Sequence, residues 1–167
     1  MKLVSIIIPH YNGKELLYNC IDSIYQNIEI EDFEIIVVDN GSTDDSVQNI
    51  KQLFSKVVII HNQNNVGYSG GCNIGAKNAQ GKYLLFLNND TEHSERWIEK
   101  LVNFLDSHPG TFAVQPKILN ITNKEYFDYA GGAGGFLDHF GFPYVKGRIF
   151  NTLEKDTGQY DKSSEIF

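Results

Sequence analysis

The chain has 167 residues, of which 41% are hydrophobic and 21% charged, with a formal net charge of −7. That length supports one domain able to hide roughly 70% of its unfolded surface, and the composition argues against a disordered chain or a membrane span. The acidic balance argues against nucleic acid as a partner, because a phosphate backbone needs a basic surface to displace its counterions. It leaves room for a small anionic ligand held by aimed backbone N–H groups and a cation.

In chain order, residues 3–9 are an apolar run rich in β-branched side chains, and residues 33–38 (FEIIVV) and 57–60 (VVII) repeat the pattern. Such runs predict strands covered on both faces. The opening MKLVSIIIPHYN has a short apolar run and no small-residue cleavage site, so the expectation is a cytoplasmic protein. Between the first two strands Leu16, Leu17, Cys20, Ile21, Ile24 and Tyr25 recur at helical spacing, with Asn12 and Glu15 spaced as a capping box. Residues 44–54 predict a second helix, residues 69–79 a helix of small side chains, and residues 82–87 a fourth strand. Trp97, Ile98, Leu101, Val102 and Leu105 predict an amphipathic helix starting near Ser94 and running to His108, stopped by Pro109 and Gly110. Residues 112–119 read as one more strand. From Tyr126 the pattern fails: residues 130–147 interleave glycines with Phe136, Phe140, Phe142 and Tyr144, which predicts an irregular, mobile loop, and residues 151–167 are polar with little periodicity.

The βαβαβαβ alternation predicts a mostly parallel sheet with right-handed crossovers, whose ligands bind beyond the carboxyl ends of the strands. Three polar groups sit at those ends: His10, Tyr11 and Asn12; Asp39 to Ser42; and Asn88 to Asp90. Asp39 can accept hydrogen bonds from a ribose or a base edge, or it can simply brace a turn. Asp90 with Asn88 and Asn89 offers oxygen ligands of the kind Mg2+ or Mn2+ takes, or a polar turn before the next helix. Residues 65–76 form a glycine-rich loop opening into a helix, where Gly67, Gly70, Gly71 and Gly75 allow close backbone approach to an anion or to the sheet. Lys77 could reach a phosphate, or be a solvated lysine. No G-x-G-x-x-G follows the first strand, which removes the main support for a dinucleotide-binding domain. Residues 75–83 fail the P-loop spacing. The five histidines show no ligand cluster, and Cys20 and Cys72 read as buried, reduced thiols.

Taken together, residues 5–12 (SIIIPHYN), 34–44 (EIIVVDNGSTD), 65–75 and 83–90 (YLLFLNND) resemble the family-2 inverting glycosyltransferases. The Asn-Asn-Asp form, Pro116-Lys117 and residues 131–141 look most like the rhamnosyltransferase-type branch, which builds bacterial surface polysaccharides. The resemblance implies an α/β, A-type glycosyltransferase (Rossmann-like) three-layer fold, truncated at the C-terminus. Residues 1–125 would be the nucleotide-sugar-binding domain, and residues 126–167 the partly irregular start of the acceptor-side region of the same domain. Pro9 and Tyr11 would line the base pocket, Asp39 would hold base or ribose, and Asn89 would sit near the ribose. Asp90 would bind a Mg2+ or Mn2+ ion bridging the donor diphosphate, with Gly41, Ser42, Gly67, Asn73 and Lys77 completing the donor site. The donor would be UDP- or dTDP-linked, and the acceptor a saccharide or lipid-linked saccharide met at the inner face of the plasma membrane. The general base is expected beyond Phe167, since Asp128 and Asp138 read as loop residues. A non-catalytic nucleotide-binding module and a nucleotidyltransferase-like enzyme stay open as alternatives.

Overall fold

The computed structural model describes residues 2–129 and 132–161; Met1, Ala130 and Gly131 (part of the glycine-rich stretch) and residues 162–167 (part of the polar tail) lie outside them. The chain forms two compact units, residues 1–99 and 100–167.

In the first unit β1 (Val4–His10), β2 (Phe33–Asp39), β3 (Val58–His61) and β4 (Tyr83–Phe86) make one sheet in the order β3-β2-β1-β4, with every pair parallel. The crossovers are α1 (Lys14–Asn27), α2 (Ser46–Leu53) and α3 (Gly67–Asn78). All of β1 and the last five residues of β2 are buried. These two strands lie inside the sheet between helix layers, so both faces select apolar side chains and the sequence shows unbroken runs instead of alternation. Right-handed crossovers put α1 and α2 on one face and α3 on the other.

Glycines set how closely α3 lies on that sheet. A Cβ at Gly75 would fall 2.3 Å from Ile7 Cγ2 and 3.2 Å from Val38 Cγ2, and one at Gly71 would fall 2.9 Å from Pro9 Cβ. The helix backbone therefore rests directly on the cluster of Ile7, Ile36 and Val38. Cys20 and Cys72 are buried and free, as their positions in helical patterns suggested.

Some boundaries differ from the sequence expectations. α1 starts after Gly13 in a left-handed conformation with no side-chain cap, because the Asn12 side chain is drawn elsewhere: its Oδ1 accepts the Thr43 N–H at 2.8 Å. The last helix, α4 (Trp97–Ser107), begins later than Ser94. Residues 112–119 form no strand, and only Leu119 makes an isolated bridge, to Phe127.

The second unit holds two short antiparallel pairs, β5 (Gly135–Leu137) with β6 (Pro143–Val145), and β7 (Arg148–Ile149) with β8 (Thr152–Leu153). At their centre is Phe127, fully buried. Cβ atoms at Gly132 and Gly147 would come within 2.7 Å and 2.6 Å of its side chain, and the Tyr160 ring lies 5.5 Å away. The glycines thus let hairpins close around one phenylalanine where the composition alone predicts an irregular loop. Asp138 caps the β5–β6 turn, its Oδ1 accepting the N–H of Phe140 and of Phe142 at 2.8 Å each. Among the described residues no helix is long and apolar enough to cross a membrane.

Candidate functional site

Strand register places the site. β1 and β2 pair so that His10 faces Asp39, and β2 and β3 pair so that Asp39 faces His61. The last residues of three neighbouring strands therefore stand in one row. β4 lies on the other side of β1, so the chain reverses its direction of travel across the sheet there, the arrangement at which parallel sheets hold ligands beyond their carboxyl ends.

Asp39 is almost fully buried, and its two oxygens are held differently. Oδ1 accepts the Ser42 N–H at 2.9 Å, and Oδ2 lies 3.0 Å from Nδ1 of the largely exposed His61 ring. Burial by itself would raise its pKa, but the Ser42 N–H and the His61 ring together hold the carboxyl below its ordinary value. Asp39 is therefore an ionised acceptor with lone pairs to spare, since a carboxylate offers about four acceptor sites. Gly41 follows with φ +83°, the left-handed turn that brings Ser42 back onto the carboxylate. Ser42 Oγ in turn accepts the Asn12 N–H at 3.0 Å, tying the turn after β2 to the turn after β1.

Asn40, also buried, joins the third element. Its N–H donates to the His10 carbonyl at 2.8 Å, its Nδ2 to the Gly67 carbonyl at 3.3 Å, and its Oδ1 accepts from Asn62 Nδ2 at 2.9 Å. Gly67, the first residue of α3, has φ +74°.

The loop after β4 is pinned to α1. Cys20 Sγ lies 3.6 Å from the Asn88 carbonyl, Thr91 Oγ1 donates to that same carbonyl at 3.0 Å, and His93 Nδ1 lies 2.8 Å from Ser23 Oγ. The His93 ring stacks on Trp97 with centroids 4.4 Å apart, and burial pushes its pKa down to about 4, so it is neutral near pH 7. Asn89 turns inward to His10, whereas Asp90 is exposed. Asp90 is a single carboxylate, and no group of three or more His, Cys, Asp or Glu gathers around a point among the described residues. One carboxylate fits Mg2+ or Mn2+ when phosphate oxygens and water complete the shell.

The structure thus brings Pro9, Asp39, Gly41, Ser42, Gly67, Asn89 and Asp90 to one end of the sheet, with Tyr11 half exposed on the loop after β1. It does not bring Lys77 there. Lys77 lies in the last turn of α3, exposed, on the order of 15 Å along the axis from Gly67 at about 1.5 Å per residue. Asn73 is exposed too, while Gly71, Cys72 and Gly75 make the buried face of that helix. A helix leaving a strand end carries its later residues back toward the other end of the sheet, and an exposed Lys77 fits the solvated reading. Conversely, His10, Asn40, Ser46 and His61 belong to the site's framework; His10, Asn40 and His61 carried no signal in the sequence beyond standing at or next to strand ends, and Ser46, the first residue of α2, carried none.

Comparison with known proteins bears on the fold and the family. The family model described as glycosyl transferase family 2 matches residues 5–160. Glycosyltransferase GlyG of Streptococcus pneumoniae serotype 4 is 30% identical over 156 residues, covering 89% of this chain and 46% of GlyG. The Escherichia coli UDP-Glc:alpha-D-GlcNAc-diphosphoundecaprenol beta-1,3-glucosyltransferase WfaP is 34% identical over 118 residues, covering 68% and 45%. Among solved structures, S. aureus TarS superposes with a TM-score of 0.67 at 22% identity, over 81% of this chain and 24% of TarS. Residues 1–349 of TarS in complex with UDP-GlcNAc give 0.59 at 24%, over 72% and 39%. The α/β fold is therefore that of an A-type glycosyltransferase. The chain spans less than half the length of these relatives.

Proposed function

The chain belongs to glycosyl transferase family 2, and we propose that it holds a nucleoside-diphosphate sugar at the carboxyl ends of β1, β2 and β4 for transfer to a hydroxyl acceptor with inversion. The observation that carries the proposal is Asp39: a buried, ionised carboxylate fixed by Ser42 and His61, with acceptor capacity left over. An acceptor-only group suits the N–H of a uracil or thymine ring or a ribose hydroxyl, as a UDP- or dTDP-linked donor would present. TarS, whose fold this chain shares, has been crystallised with UDP and with UDP-GlcNAc, which favours UDP.

In this assignment Pro9 and Tyr11 flank the base, Gly41 and Ser42 shape the turn beneath it, and Asn89 accepts from the ribose. Asp90 would hold Mg2+ or Mn2+ at the diphosphate, where a bound cation supplies charge neutralisation for the leaving group. Inversion follows from one displacement at the anomeric carbon, aligned by the held donor. Asp138 is engaged as a turn cap, and no described residue is assigned as general base. The Asn88-Asn89-Asp90 sequence supports a rhamnosyltransferase-like branch, and the lipid-linked substrate in the name of WfaP supports an acceptor at the inner face of the plasma membrane in polysaccharide synthesis. Calorimetry with UDP tests the donor site: wild type binds, and Asp39→Asn, which presents N–H2 where an acceptor is needed, loses tenfold or more in affinity, as expected from about 1.5–3 kcal/mol for one hydrogen bond to a charged group, at about 1.4 kcal/mol per tenfold. Equal affinity in the two proteins would remove the assignment.

A further inference from the structure

His10 is buried, at 1% exposure, and both of its ring nitrogens are engaged. Nε2 lies 2.8 Å from Ser46 Oγ, the first residue of α2, and Nδ1 lies 2.9 Å from Asn89 Nδ2, beyond β4. Ser46 Oγ also contacts Asp44 Oδ1, and Asp44 Oδ2 accepts the Gly13 N–H at 2.8 Å. The chain Asn89, His10, Ser46, Asp44 thus links the loops that follow β4, β1 and β2.

Proton counting fixes the direction of every bond in it. Burial raises the Asp44 pKa, but the Ser46 hydroxyl and the Gly13 and Ser46 N–H groups outweigh that and keep it below its ordinary value, so Asp44 is an ionised acceptor. The single hydroxyl proton of Ser46 goes to Asp44, so Ser46 Oγ must accept from His10, which places the imidazole proton on Nε2. Burial lowers the His10 pKa against the pull of Asp44 and Asp39, so the ring is neutral and Nδ1 carries a lone pair. A lone pair at Nδ1 requires an N–H from Asn89. The Asn89 amide is therefore locked with Nδ2 toward the ring, and its Oδ1 is the atom turned away.

We propose that His10 is a positioning residue: it dictates that Asn89 meets its ligand as a hydrogen-bond acceptor, for a donor such as a ribose hydroxyl. The inference rests on the proposed donor site for its ligand, but not for its geometry. An aspartate at position 89 would offer the same outward oxygen but would require a proton on Nδ1, so the ring would have to take up a second proton or give up its Nε2–H bond to Ser46, a cost that asparagine avoids.

Two measurements on the whole chain test it. The first is 15N NMR of the imidazoles, without ligand. Wild-type His10 is expected as the Nε2–H tautomer, and Asn89→Asp is expected to move a proton onto Nδ1. A wild-type proton on Nδ1, or an unchanged ring in folded Asn89→Asp, overturns the proposal. The second is UDP affinity, with Mn2+, in a double-mutant cycle. His10→Phe and Asn89→Ala are each expected to lose about tenfold, and the double variant no more than either, because both remove one coupled contact. Additive losses, or full affinity in a folded His10→Phe, overturn it. Should His10→Phe fail to fold, the tautomer of Asn89→Asp decides alone. Should wild type bind no UDP, the donor site itself is refuted, and the NMR result still decides whether His10 orients Asn89.

Discussion

Replacing Gly75 with alanine is the sharpest test of how α3 supports the site. The new Cβ would lie 2.3 Å from Ile7 Cγ2 and 3.2 Å from Val38 Cγ2, whereas ordinary contact begins near 3.4 Å. Relief requires α3 to lift by about 1 Å or Ile7, inside the fully buried β1, to change rotamer. Overpacking of that kind costs about 1–3 kcal/mol, against a gain of no more than about 1 kcal/mol from the better helix propensity of alanine. The 2.3 Å contact puts the cost toward the upper end of that range, a net of about 1–2 kcal/mol, and for a chain of this size each kcal/mol shifts Tm by about 2–4 °C, so a fall of about 2–8 °C is expected. Gly110→Ala, where a Cβ meets nothing within 4 Å and φ is not positive, serves as a control and stays within about 1 °C, as a surface change of a few tenths of a kcal/mol would. Differential scanning calorimetry of both variants reads the result. The same lift would pull Gly71 off Pro9 and strain the Asn40 to Gly67 tie, so UDP affinity should fall with Tm. A Gly75→Ala protein as stable as wild type would refute direct backbone-on-sheet packing.

Three further outcomes are expected. Asp39 and Asp44 both have folded pKa values below their ordinary 3.8, so the stability they contribute is present above that value and is lost as pH falls through the lower folded values; urea midpoints measured down to pH 3 should therefore drop less steeply in Asp44→Asn than in wild type, and identical slopes would contradict the assignment. Cys20 is buried with its pKa pushed up to about 11, and Cys72 is buried and raised as well, so neither thiol should react with iodoacetamide at pH 8 until the protein is denatured, as mass spectrometry would show. In the second unit, Phe127→Ala should cost about 3–5 kcal/mol and expose the amides of residues 135–153 to hydrogen exchange; protection equal to wild type would mean that the hairpins do not depend on that ring.

The sheet was legible because β1 and β2 are buried on both faces, so Ile6 to Ile8 and Ile35 to Val38 leave an unbroken apolar signature. The aspartates at strand ends were legible as candidates for the same reason, since a carboxylate following such a run stands at a known place in a parallel sheet. His10 was not. Its partners lie 36 and 79 residues away, and no local spacing encodes a contact of that range. Asn12 misled in the opposite way, matching a cap pattern while its side chain is used across the loop by Thr43. The hairpins of the second unit were hidden because strands of two or three residues are too short to show a period, and the burial of Phe127 depends on glycines that resemble loop composition.

The central claim, a donor site completed by a cation at Asp90, is tested most directly by titrating UDP into wild type and Asp90→Ala, each with and without Mn2+. Asp90 is exposed and makes no contact that holds the fold among those described, so the variant should keep its Tm. Wild type is expected to bind UDP more tightly with Mn2+ than without, and Asp90→Ala to bind weakly and equally in both conditions. Folded wild type that binds no UDP, or an Asp90→Ala protein with undiminished Mn2+ dependence, would contradict it.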